Sequence, residues 1–127
     1  MKQLKLIIAG TRQFDNYKIT KTTVERVIKS WNNVEIVEVV CGECRGPDLL
    51  GKRWALNKGI KIKSFPADWE KYGRAAGPIR NKQMVEYANA AIVFWDGRSR
   101  GTKSLMDLLR KMDNAQYCFR KVMNNED

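Results

Sequence analysis

Glycines, hydroxyls, arginines and aspartates crowd into four short stretches of this chain: Gly10-Thr11-Arg12, Cys41 to Asp48, Pro66 to Trp69, and Asp96 to Thr102. Glycine lets a backbone approach a ligand closely, and a loop that runs into a helix offers free N–H groups and a partial positive charge to a phosphate. The last stretch has that form, with Asp96, Gly97, Ser99, Gly101 and Thr102 placed around such an anion and Thr102 able to cap the helix. It also reads as an ordinary turn ending in a helix cap. Arg12 and Arg45 can fork onto a phosphate or carboxylate, beside the flexible positions Gly10, Gly42 and Gly46. Asp48 serves either a ligand or the dipole of the helix it opens. Trp69, in a polar loop, is the aromatic suited to stack on a base, whereas Trp95 at a strand end is expected in the core.

Arg80 and Asn81 follow Gly77-Pro78 and so fall in the first turn of a helix, where the dipole opposes a cation. Arg80 therefore needs a partner, either Asp68 as an ion pair or a bidentate contact to a phosphate or ribose of a ligand. Histidine is absent, which removes Ser-His and Cys-His nucleophiles and any His-ligated metal. Catalysis would fall to Asp68 or Asp96 as general acid/base. No cofactor is required, and a magnesium ion enters only if the site is catalytic. Cys41 and Cys44 form a C-x-x-C, but the aromatic before the first cysteine and the late cis-proline strand of a redox domain are missing. Only Cys118 remains as a third soft ligand, so the cysteines read as reduced packing residues and no metal site is expected.

The elements that must position these residues alternate. Strands are predicted at Leu4 to Ala9, Val34 to Val40, Ile60 to Phe65, Ala91 to Trp95 and Tyr117 to Val122. Helices are predicted at Ile19 to Trp31, from Pro47 to Lys58-Gly59, from Gly77-Pro78 after a long loop, and from Thr102 to Met112. Strands joined by helices imply right-handed crossovers and a parallel sheet covered on both faces. The expectation is a Rossmann-like α/β three-layer sandwich, mainly parallel, with five strands in the order 3-2-1-4-5. In such a sheet ligands bind outside the carboxyl ends of the strands, where the order reverses. All four special stretches follow strand carboxyl ends.

The chain has 127 residues, read as one domain over 1–123 with a frayed polar tail at 124–127. The apolar run Leu4 to Ala9 is too short for a signal peptide, and nothing approaches a membrane span, so a cytoplasmic protein with no membrane partner is expected. A formal charge of +10 favours anionic partners. The basic residues are scattered rather than striped along a helix, so a phosphorylated small molecule is favoured over nucleic acid.

Taken in order, Gly10-Thr11-Arg12-x-Phe14-Asp15-x-Tyr17, Gly42-x-x-Arg45-Gly46-x-Asp48, Phe65-Pro66-Ala67-Asp68-Trp69 through Gly77-Pro78-x-Arg80-Asn81-x-x-Met84, and Phe94-Trp95-Asp96-Gly97-x-Ser99-x-Gly101-Thr102 resemble the YspA/YpsA-type branch of the SLOG superfamily. The resemblance spans nearly the whole chain. It implies a Rossmann-like fold that binds, for sensing or sequestering, a nucleotide or nucleotide-derived phosphorylated ligand at these loops, and it leans toward a homo-oligomer. The alternative it implies is a nucleotide hydrolase, since the superfamily contains the LOG phosphoribohydrolases. Where those enzymes resemble this chain in a glycine-rich loop and following helix, their catalytic Glu is matched here by Leu105, and Asp107 lies about 200° around the helix from the place required.

Overall fold

The computed structural model describes residues 1–123. The expected tail at 124–127 lies outside them.

Strand β1 (Lys2–Gly10) is followed by helix α1 (Tyr17–Ser30), β2 (Val34–Cys41), α2 (Pro47–Lys58), β3 (Lys61–Ser64), the short α3 (Trp69–Tyr72), a 3-10 turn (Gly73–Ala75), α4 (Ala76–Tyr87), β4 (Ala90–Trp95), α5 (Arg100–Arg110) and β5 (Gln116–Lys121). The five strands form one sheet in the order β3-β2-β1-β4-β5, every pair parallel. This is the expected Rossmann-like arrangement, and it places the topological switch between β1 and β4.

Central strands buried on both faces read as apolar runs, and β1 shows why. Leu4, Leu6 and Ile8 join α1 and α2 residues such as Val24, Val27, Trp54 and Ala55 on one face. Ile7 and Ala9 meet Met84, Val85, Leu105, Met106 and Leu109 of α4 and α5 on the other. Leu6, Ile7 and Ile8 are fully buried, each contributing about 1.5–3 kcal/mol by removal from water. The edge strand β3 carries exposed Lys61 and Lys63, which discourage pairing with a further strand.

Local chemistry sets the helix ends. The Asn16 side chain accepts from Ile19 N at 3.0 Å and starts α1 two residues earlier than the apolar spacing indicates. Pro47 opens α2 and Gly59, in the left-handed region, closes it. The segment expected to be one long loop contains α3 and the 3-10 turn. Neither buries a residue, so the sequence there carries no apolar period to reveal them. Helix α5 is capped by Ser99, not Thr102. No helix of the described residues is long and apolar enough to cross a membrane.

Candidate functional site

At the switch point two loops are fastened to each other. Thr11 N donates to Phe94 O at 2.9 Å, and Asp96 N donates to Thr11 Oγ1 at 3.1 Å. Thr11 is therefore buried as a tie between loops and does not present its hydroxyl to solvent. Asp96 continues the same scaffold, its carboxylate accepting from Arg98 N at 2.8 Å and Ser99 N at 2.9 Å. Burial pushes its pKa up, but these N–H groups outweigh that and leave it below the ordinary aspartate value. Ser99 Oγ accepts from Thr102 N at 3.3 Å. The first-turn N–H groups of Arg100 and Gly101 remain available to a ligand. Gly97 is an exposed turn residue at φ 86°.

Between these loops, α4 and the amino end of α5 lies a cleft of about 330 Å³. Gly10, Arg12 and Asp48 line it from the β1 and β2 side, Trp69, Arg80 and Asn81 from α3 and α4, and Ser99, Gly101 and Thr102 from α5. Trp69 is 51% exposed and lines the cleft. Trp95 is half-buried rather than fully in the core; its indole Nε1 donates to Ser99 O at 3.1 Å and steadies the α5 loop.

Arg80 departs from the sequence reading. Helix α4 begins at Ala76, so Arg80 lies in its second turn, and it is only 8% exposed. Its guanidinium donates through Nη1 to Gly42 O at 2.6 Å and to Cys44 Sγ at 3.5 Å, and through Nε to Asn81 Oδ1 at 3.0 Å. No ion pair joins it to Asp68; that carboxylate instead caps α3, accepting from Lys71 N at 3.1 Å. The acid near Arg80 is Asp48. A Cβ added to Gly42 would stand 2.6 Å from Asp48 Oδ2 and 2.9 Å from Arg80 Nη1, so the two charges converge beneath that glycine.

Asp48 is 5% exposed, and burial pushes its carboxyl up to about 6, opposed by the Arg80 charge, by N–H groups of Cys44 and Gly10, and by Arg12. A titratable group displaced toward neutrality inside a cleft is a candidate for chemistry. The two aspartates expected to carry chemistry, Asp68 and Asp96, do not line the cleft. At the LOG-type glutamate position Leu105 supplies an apolar patch of wall, 3% exposed, while Asp107 is tied to Lys103 and Arg110 on the surface.

Arg45 and Gly46 fall outside the cleft, in a neighbouring depression of about 730 Å³ shared with Arg12 and Arg53. A smaller depression of about 510 Å³ holds Asp96 and Arg98, again with Arg12. Gly42 is buried under the site and contributes its carbonyl. The cysteines divide: Cys41 is buried, its thiol pushed up to about 12 by burial, whereas Cys44 is half-buried and lines the cleft beside Arg12 and Arg80. Sequence reasoning passed over Cys44 as a cleft residue, and Arg53 has no motif to flag it. Among the described residues no three cysteines or acids gather where they could hold a metal ion.

Strand order and switch-point cleft define a Rossmann-like α/β protein with an arginine-lined cleft at the strand carboxyl edge. The chain belongs to the YspA, cpYpsA-related SLOG family, whose sequence model matches residues 4–72. That match takes in the loops after β1 and β2 and ends within α3. The chain is also 40% identical over 76 residues to the Gene 61 protein of Mycobacterium phage D29, across 54% of this chain and 59% of that protein. It thus spans about six tenths of the length of that relative. No solved structure matches it.

Proposed function

We propose that the protein binds a nucleotide or nucleotide-derived phosphorylated small molecule in the switch-point cleft. The carrying observation is the meeting, in one cleft, of the α5 amino end with a buried arginine, Arg80, and an open tryptophan, Trp69. The phosphate lies on the N–H groups of Arg100 and Gly101 and within reach of Arg12 and Arg80. The ring lies on Trp69. Asp48, where ionised, accepts hydrogen bonds from ligand hydroxyls or an amine. Family membership is consistent with this, as it is with hydrolysis.

The test is calorimetry with a panel of nucleoside 5′-phosphates, read alongside product chromatography. Saturable binding without turnover supports a sensing or sequestering role; no binding by any member sinks the reading. A second reading, hydrolysis of an N-glycosidic or phosphate bond, is favoured by Asp48, a carboxyl lining the cleft that burial pushes up to about 6, toward the range that suits a general acid/base. Product release that vanishes in Asp48→Asn while binding persists would establish it.

A further inference from the structure

The sequence gathers Arg12, Arg45 and Arg80 around one site, but the fold separates them. Arg80 belongs to the cleft, Arg45 to the depression on the far side of the β1–α1 loop, and Arg12 lines both. We propose that the ligand carries a second anionic group, joined to the phosphate held at α5, which passes Arg12 and seats on Arg45 and Arg53. This rests on the reading of the cleft given above, and it narrows the ligand class to compounds with more than one phosphate, such as nucleoside polyphosphates.

Three features support the assignment. The depression sets three guanidiniums against one lining carboxylate, Asp15, and among the described residues none of Arg12, Arg45 and Arg53 is ion-paired to an acid. Unneutralised arginines gathered around a concave surface attract an anion and match the planar, forked geometry of a phosphate. Arg53 is held in place by stacking, its guanidinium 3.9 Å from the Tyr17 ring centroid, so less freedom is lost when it engages an anion. The depression and the cleft also share Arg12 as a lining residue, so one side chain borders both places that a bridging polyphosphate would occupy.

The experiment compares the 5′-monophosphates of adenosine, guanosine, cytidine and uridine with the corresponding 5′-triphosphates by calorimetry at fixed ionic strength. The wild-type chain is compared with an Arg45→Ala, Arg53→Ala double variant. An Arg26→Ala, Lys29→Ala variant removes the same charge from the exposed face of α1. All four residues are exposed, so the variants keep the fold. The expected result is a triphosphate preference in the wild type that falls about tenfold or more in the Arg45/Arg53 variant, with monophosphate affinity unchanged and the α1 variant close to wild type. Equal loss in the two variants would reduce the effect to net charge and overturn the proposal, as would mono- and triphosphates binding alike. If monophosphates bind and Gly101→Val abolishes that binding, the cleft reading stands whatever the triphosphates do; if no nucleotide binds, both readings fall. A single-stranded oligonucleotide that needs Arg45 and Arg53, with nucleotide affinities unmoved, would assign the depression to nucleic acid and also overturn it.

Discussion

Asp48 keeps a carboxyl group almost without water, 5% exposed, opposite an arginine that does not reach ion-pairing distance. An acid whose pKa in the fold lies above its unfolded value holds a proton that the unfolded chain has already released. Between the ordinary 3.8 and about 6 the folded protein therefore binds more protons, and stability falls as pH rises through that window. Above it the cost is constant, about 3 kcal/mol by the size of the displacement. Asp48→Asn is expected to flatten the stability–pH curve between pH 4 and 6 and to raise melting at pH 7, while weakening ligand binding. Urea unfolding across that range checks it, and an unchanged slope would mean that the carboxylate is hydrated. Arg80 acts in the opposite sense. Arg80→Ala leaves Gly42 O and Asn81 Oδ1 without their donor, so melting of the unliganded protein should fall by the equivalent of about 1–3 kcal/mol, and affinity by about 1.5–3 kcal/mol. Unaltered affinity would place the phosphate out of its reach.

At the scale of elements, the β2–α2 loop and the α5 terminus make contrasting demands on glycine. Gly46 sits at φ 87°, ψ −141°, a region closed to side chains, and a Cβ there would lie 2.8 Å from Arg12 O and 2.9 Å from Thr11 O. Gly46→Ala is expected to destabilise the fold by about 1–3 kcal/mol, measured by thermal unfolding without ligand. Gly101 meets nothing within 4 Å, so Gly101→Val should fold normally and lose ligand affinity by steric exclusion at the α5 amino end. A folded Gly101→Val that binds as the wild type does would put the phosphate elsewhere. The sheet order was legible because apolar strands alternate with helix-length spacers, and parallel crossovers leave few topologies. The loops that hold the cleft were legible for the same reason. Which side chain of each loop turns inward was not. Asp48, Asp68 and Asp96 look alike in sequence, yet one is buried in the cleft, one caps α3 and one braces the α5 loop. Ser99 and Thr102 compete for one cap, and only backbone geometry decides between them. Helix α3 was invisible because it buries nothing.

For the molecule as a whole, a charge of +10 attracts any polyanion, so charge by itself does not separate a small phosphorylated ligand from nucleic acid. The two differ in how salt acts on them. A protein that neutralises many backbone phosphates releases as many counterions, and its affinity falls steeply, by roughly 10³–10⁵ between 50 and 200 mM salt for 6–10 contacts. A ligand enclosed in a cleft is held by a few partly desolvated contacts, which salt screens much less. Binding of the best nucleotide is accordingly expected to weaken less than about tenfold over that salt range, whereas any binding of a 30-residue single-stranded oligonucleotide should be weak and collapse over it. Gly101→Val provides the internal control, because it obstructs the cleft and leaves the net charge unaltered. It should remove nucleotide binding and leave residual oligonucleotide binding in place. If tight oligonucleotide binding survives 200 mM salt and is abolished by Gly101→Val, the cleft itself takes a nucleic-acid chain, and the small-molecule reading is wrong.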